Sequence, residues 1–336
     1  MIVQATAMLA QAEDSWIDFN VGLFLDQFWS NTVDGLAYGS IYALIALGYT
    51  LVYGVLRLIN FAHSEIFITG AFGAYFAMEA LGLKPGPTAR LGIVEIIGFL
   101  LLMMAVAMII SGASAVVLER VAYRPLRKRN APTLVFLITA VGASFVIQQL
   151  FFVTRGANPE PALRLIRPTE VFTLFGARVT NIHILVFVAA LVLLVVADMF
   201  INRSRLGRGV RAVAQDPVTA TLMGVNRERV IMLTFLIGGV LAGAAAVFYI
   251  LQIPQGVVYN GGFLLGIKAF TAAVLGGIGN LRGALLGGLL LGVVENYGQS
   301  LLGGEWRDIV AFVLLIVILM FRPTGILGES LGKARV

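Results

Sequence analysis

The sequence predicts an all-α integral membrane protein, a polytopic bundle of about eight to ten transmembrane helices with glycine-rich close packing. Three observations predict it. Hydrophobic residues fill 59% of the 336 positions and charged residues only 12%, against about 45–50% and about 25% in soluble domains. Apolar runs near the length of about 20 residues that a spanning helix needs recur along the chain. The 38 glycines are scattered through those runs without a collagen-like period, where the missing side chain lets helix backbones touch.

The chain opens on MIVQATAMLAQA, an apolar stretch without the basic flank of a secretory signal, and reads as a tail. Residues 17–34 are amphipathic, with Ile17, Phe19, Leu23, Phe24, Leu25 and Phe28 interrupted by Asp18 and Asp26. They form an interfacial helix or, as the alternative, a tenth membrane segment. Residues 1–33 therefore stand apart from a main domain at 34–328, and 329–336 form a C-terminal tail. Candidate spans are 36–56, 60–82, 91–118, 132–154, 183–201, 230–252, 263–279, 284–302 and 309–321. The strongest are 91–118 and 183–201. The stretch 263–302 is broken by glycine, so a re-entrant pair is the alternative to two crossings there.

A net charge of +6 in a soluble protein would suggest nucleic acid. Here the bases sit in short loops, which is a topology signal, and no nucleic-acid partner is expected. The segment 119–130 holds five Lys/Arg, 202–229 holds six, the tail from Arg322 holds three, and Arg57 and Arg282 occupy two further turns. That gathers 16 of 24 bases on one face, which the positive-inside rule makes cytoplasmic. Nine crossings then put the N-terminus outside and the C-terminus inside.

Cysteine is absent, which excludes disulfides, thiolate metal sites and cysteine nucleophiles. The two histidines, His63 and His183, lie 120 positions apart, so no metal site is expected. Neither G-x-G-x-x-G nor G-x-x-x-x-G-K-[ST] is present. No catalytic triad or carboxylate pair is evident either. The chain is read as a non-catalytic transport component without a cofactor of its own. If ATP drives it, another chain binds the nucleotide.

Three segments carry the functional reading. Within 203–229, Asp216 before Pro217 is a helix start, Gly224 a stop and Asn226 the cap of the next helix. Arg203, Arg205, Arg208 and Arg211 precede it. This describes a short helix on the cytoplasmic surface, which either transmits force from a partner or holds anionic lipid heads. In LINFAHSE (58–65), Asn60, His63 and Glu65 enter an apolar run, where polar groups face a cavity or one another. His63 fits either a proton relay or a hydrogen-bonded bend. In TAAVLGGIGNLRGALLGGLLLG (271–292), Gly279, Gly283 and Gly287 recur every four residues, as do Gly288 and Gly292, the spacing of close helix packing. Gln148, Gln149, Lys268, Glu295 and Asn296 are the remaining polar residues inside spans. Asn60, His63, Glu65, Gln148, Lys268 and Glu295 are the candidate pathway residues, with interhelical hydrogen bonding as the alternative.

The motifs, in order, resemble the membrane permeases of bacterial ABC importers for branched-chain amino acids. DGLAYGSIYALIALGYTLVYGVLRLINFAHSE (34–65), ERVAYRPLR (119–127), GRGVRAVAQDPVTATLMGVN (207–226), VLGGIGNLRGALLGGLLLGVVE (274–295) and RPTGILG (322–328) carry the resemblance. Ser64 departs from it, since the family usually has glycine after the histidine. The resemblance implies a multi-pass protein of the bacterial inner membrane that works by alternating access. It implies a second permease, identical or related, two cytoplasmic ATPases holding ATP and Mg, and an extracytoplasmic binding protein. It makes 203–229 the ATPase-coupling segment and places Arg208, Arg211, Ala212, Asp216, Pro217, Ala220 and Gly224 in it. Leucine, isoleucine and valine are the implied substrates, with urea or short amides carried by related permeases. A proton-coupled secondary transporter and a passive channel are the rival classes.

Overall fold

The computed structural model describes residues 19–83, 86–87, 92–161, 163–253 and 256–328. The readings of the first 18 residues and of the tail 329–336 lie outside them. A one-and-a-half-turn helix, α1 (Val21–Asp26), precedes the bundle. Each candidate span is then helical: α2 (Phe28–Leu56), α3 (His63–Ala80), α4 (Ile93–Leu118), α6 (Thr133–Arg155), α7 (Asn181–Arg203), α10 (Arg227–Gln252), α11 (Gly261–Gly276), α12 (Leu281–Leu302) and α13 (Arg307–Phe321). Between α7 and α10 lie two short helices, α8 (Arg205–Gln215) and α9 (Pro217–Leu222).

Among the described residues, the nine expected spans differ in how well length and composition suit them to cross alone. Five are long and apolar enough to span alone: α2, α4, α6, α7 and α10. The pair α11 and α12 passes only together and is bent by 120° at the glycine break, the broken or re-entrant alternative. α3 has 18 residues and α13 only 15. The physical reasons are length and charge: α11 and α13 have 16 and 15 residues, α3 carries Glu65 and Glu79, and the bent pair carries Lys268 and Glu295. Such helices fit the bilayer only when protein encloses those groups.

The sequence reading of 119–130 as a basic loop also changes. The chain stays helical from Ile93 to Lys128, through a π turn at Glu119–Tyr123 and a short α5 (Arg124–Lys128). Buried Glu119 pairs with Arg127, which also donates to Glu228 at 2.8 Å, so the charges are bound into the helix.

Two helices form the centre. The apolar windows of α2 and α10 are 83% and 72% buried, while those of α4, α6 and α7 are mostly left unburied by the chain itself. Glycine makes the central contacts possible. A Cβ at Gly288 of α12 would lie 2.6 Å from the Ala43 Cα of α2, and one at Gly292 would lie 2.3 Å from the Gly35 carbonyl. On the other flank, a Cβ at Gly243 of α10 would lie 2.5 Å from the Ala107 carbonyl of α4.

The ends of the bundle are chemically distinct. At one, Arg57 donates to Ala214 O at 3.4 Å, Arg282 meets Asp198 at 3.2 Å, and Ile326 and Leu327 bond back to Leu275 and Gly276. The basic segments named in the sequence thus come together. At the other, Asn20 N donates to Leu301 O and Arg155 pairs with Glu79 at 2.7 Å. The two ends of the described chain lie at opposite ends of the bundle. Two small sheets sit in the connections: β1 (Gly86–Pro87) pairs parallel with β2 (Leu163–Arg164), and β3 (Glu170–Leu174) forms a hairpin with β4 (Ala177–Thr180). The hairpin turns at Phe175 and Gly176, both with positive φ, as a two-residue turn matched to strand twist requires.

Candidate functional site

The polar residues of the interior fall into two groups, and a third set lies on the basic surface. The first group surrounds the start of α3. After Leu56 the chain reverses through Arg57, at φ 53°, and re-enters the protein. Asn60 and Ala62 are buried, and the His63 ring packs on the bare backbone of Gly48, where a Cβ would lie 2.1 Å from Nε2. Gly48 precedes Leu56 by eight residues, so α3 begins roughly 12 Å inside the end of α2. Tyr49 stands edge-on to the histidine at 4.8 Å. Non-helical backbone at that depth survives because protein surrounds it.

LINFAHSE then sends its polar side chains in separate directions. Asn60 accepts a hydrogen bond from the Tyr123 hydroxyl at 2.8 Å, which the π turn aims inward. Glu65, fully buried, points to α6, where its Oε1 accepts from Gln148 Nε2 at 2.9 Å and from Ser144 Oγ at 3.2 Å. His63 donates its backbone N–H to the Asn60 carbonyl at 3.0 Å, while its ring Nε2 has no hydrogen-bond partner among the described residues. Its ring packs between Gly48 of α2 and Gly238 of α10, beside Tyr49.

The second group ties α11, α12 and α13. Lys268 Nζ lies 2.5 Å from Glu295 Oε1 and 2.5 Å from Asp308 Oδ1. Arg307 Nε donates to the same Glu295 oxygen at 2.6 Å, and its guanidinium lies 4.6 Å from the centre of the Tyr38 ring. Two bases and two acids cancel, so buried Lys268 and Glu295 are neutralised together with the more exposed Arg307 and Asp308. The sequence anticipated Lys268 and Glu295 but not their partners Arg307 and Asp308. Close by, a polar cleft of about 300 Å³ opens at the end of the bundle opposite the basic segments, lined by residues that include Asn31, Asp34, Asn296, Gln299 and Ser300.

The third set is the surface segment. α8 is capped by Ser204, which accepts from Gly207 N at 2.9 Å, and buries Gly207, Val210 and Val213 against the bundle. Arg211 donates to the Ile201 carbonyl, while Arg208 projects to the surface. Asp216 then caps α9: Oδ1 accepts from Val218 N at 2.9 Å and Thr219 N at 3.2 Å, and Oδ2 from the Thr219 hydroxyl at 2.5 Å. Pro217 occupies the first helical position and Ala220 is buried beneath the helix. Gly224, at φ 86°, ends it, and Asn226 accepts from Arg229 N at 3.0 Å to start α10. α9 thus stands rigidly between two caps, with Val218, Leu222 and Met223 exposed at 68%, 82% and 80%.

The model of the branched-chain amino acid transport system permease component family matches residues 31–319. The chain belongs to this family. It is 44% identical over 301 residues to the high-affinity branched-chain amino acid transport system permease protein BraD of Pseudomonas aeruginosa, covering 88% of this chain and 94% of that one. It is 40% identical to LivH of Salmonella typhimurium and 39% identical to LivH of Escherichia coli K12, each over 309 residues, 90% of this chain and 96% of theirs. Both LivH proteins carry the same high-affinity permease description as BraD.

Within this permease, one glycine of the expected packing series has a different role. Gly283 and Gly287 do pack: a Cβ on either would fall 2.3 Å or 2.0 Å from the carbonyls of Gly276 and Ala272. Gly279 has nothing within 4 Å and a φ of 99°, so it serves the turn between α11 and α12. Spacing alone does not distinguish a packing glycine from a turn glycine.

The Asp216 cap gives a pH signature. The Thr219 hydroxyl, with the N–H groups of Thr219 and Val218, holds its carboxyl below the ordinary value of 3.8. A depressed acid contributes stability above its unfolded value and loses it as pH falls through the folded one. Protection of the α9 amides, measured by hydrogen exchange against intrinsic rates, should therefore persist at neutral pH and drop once pH passes below that range. Asp216→Ala should lack the protection at every pH.

Proposed function

We propose that this permease forms the translocation pathway of an ATP-driven importer for leucine, isoleucine and valine. Two ATPase subunits, which hold ATP and Mg, dock on residues 203–229, and an extracytoplasmic binding protein delivers substrate to the opposite face. A second permease, a copy or a relative, completes the pathway. The basic end of the bundle is the cytoplasmic one and the C-terminus lies there. This chain has no catalytic role, and nucleotide chemistry resides on the partners. Substrate choice follows the relatives, whose names specify branched-chain amino acids.

The observation that carries the reading is α9. Val218, Leu222 and Met223 are exposed on a helix capped at both ends, joined through α8 to α7 and by a short turn to α10. A lipid-facing helix at the interface would turn its arginines to headgroups; a rigid helix presenting an apolar ridge between two caps suits insertion into a groove of a partner. Force applied there passes to α7 and α10 with little intervening slack. Membrane vesicles supply the test. Leucine uptake should require ATP inside and the binding protein outside, and should survive an uncoupler. Uptake abolished by the uncoupler in the presence of ATP would assign the chain to proton-coupled transport instead. Gly224→Val and Asp216→Ala should leave the protein in the membrane yet reduce uptake by roughly tenfold or more, on the scale of losing a helix cap or straining a positive-φ residue. Normal uptake by both variants would remove the docking assignment.

A further inference from the structure

Among the described residues, Glu65 is the one buried acid that makes no ion pair, unlike Glu119 and Glu295. Its exposure is zero. Oε1 has two donors, while Oε2 is buried without a hydrogen-bond partner. Neither protonation state satisfies that oxygen as it stands: a carboxylate there needs a donor and a positive charge, and a carboxylic acid needs an acceptor for its hydroxyl. A cationic N–H donor meets the demand of the ionised form in full.

The covering helix shows where such a donor fits. α11 presents Gly262 and Gly266 to the first turn of α3. The position a Cβ would take on Gly262 lies 2.9 Å from Glu65 Oε2 and 2.8 Å from the Ser64 carbonyl. Two acceptors therefore converge on one point, now closed by glycine Cα–H. At Gly266 the corresponding point lies 2.8 Å from Ser64 Oγ and 3.0 Å from Tyr49 Oη. The face of α11 against this group is smooth, four residues from one glycine to the next, and any larger side chain would push it away. A retreat of α11 would expose a carboxylate oxygen and a carbonyl that lie 2.9 Å and 2.8 Å from one point, beside Ile68 Cγ1. The remaining donors, Gln148 and Ser144, hold the carboxylate in place from α6.

Resting on the proposed amino-acid import, we propose that Glu65, with the Ser64 carbonyl, is a transient acceptor for the substrate's α-ammonium group at membrane depth, uncovered by movement of α11. The site supplies the countercharge that a zwitterion lacks on leaving water, and closes over Gly262 once the substrate has passed.

The test uses the complete complex of permeases, ATPases and binding protein in proteoliposomes. The readout is leucine imported per ATP hydrolysed at saturating leucine-loaded binding protein. Glu65→Gln keeps the size and hydrogen-bonding capacity but no charge. It should lower that ratio roughly tenfold or more, the scale of one lost charge-assisted hydrogen bond. An unchanged ratio, whether import stays normal or falls in step with hydrolysis, overturns the proposal. A second measurement needs no variant. Modification of Glu65 by a membrane-permeant carbodiimide during ATP turnover should be slowed by leucine-loaded binding protein relative to the unloaded protein. Equal labelling overturns the proposal, as does wild-type import that stops when potassium replaces sodium, which would assign the carboxylate to a sodium ion. Wild-type import that fails to require ATP sinks the parent reading instead, and the two failures are separately visible.

Discussion

Gly287→Leu is expected to yield no folded permease after mild detergent extraction. The first side-chain atom alone would sit 2.0 Å from the Ala272 carbonyl and 2.7 Å from Gly276 N. Both are backbone atoms of α11, so no rotamer change relieves the clash. The helices must part along their length, and α12 cannot retreat because Gly288 and Gly292 hold it against α2. Overpacking in ordinary cores costs about 1–3 kcal/mol, and a rigid backbone obstacle puts this variant beyond that range. Gly279→Ala is the control. Its Cβ meets nothing, and only the left-handed backbone is strained, at about 1–2 kcal/mol. Size-exclusion profiles should show aggregate for the first and a monodisperse, somewhat less heat-stable protein for the second. A monodisperse Gly287→Leu would mean that α11 and α12 do not touch as described.

The second large effect is expected at Glu295. Glu295→Gln leaves Arg307 without its carboxylate and Lys268 with Asp308 alone. Removing one member of a buried pair costs about 3–5 kcal/mol, chiefly because the surviving charge stays desolvated. The thermal midpoint in detergent should fall steeply. Combining it with Arg307→Gln should recover part of the loss, since the pair leaves together and the charge balance returns. Two independent losses that simply add would show that Glu295 and Arg307 do not interact.

How much was legible in the sequence depends on the range of the interaction. Asp216, Pro217, Gly224 and Asn226 marked the limits of α9 because capping is settled within three or four residues, and the helix lies between them. The apolar runs placed the helices for the same reason. They say less about which cross alone, because a run interrupted by Glu65 or Lys268 has its fate decided by partners far along the chain. Gln148 is 83 residues from Glu65, and Arg307 is 12 from Glu295 on another helix. The basic stretch 119–130 looked like a loop because charge was counted without its pairing. No local signal announces that Glu119 will meet Arg127 eight residues later across a π turn, or that Tyr123 will reach Asn60.

That π turn has a mechanical consequence. The helix from Ile93 to Lys128 contains 36 residues, roughly 54 Å of continuous rod, against a hydrocarbon layer of about 30 Å. Its far end pairs with Glu228, in the opening turn of the helix that follows α9, while one turn inward Tyr123 holds Asn60 in the bend before α3. One continuous helix therefore links Glu228 at the surface to Asn60 in the buried bend before α3.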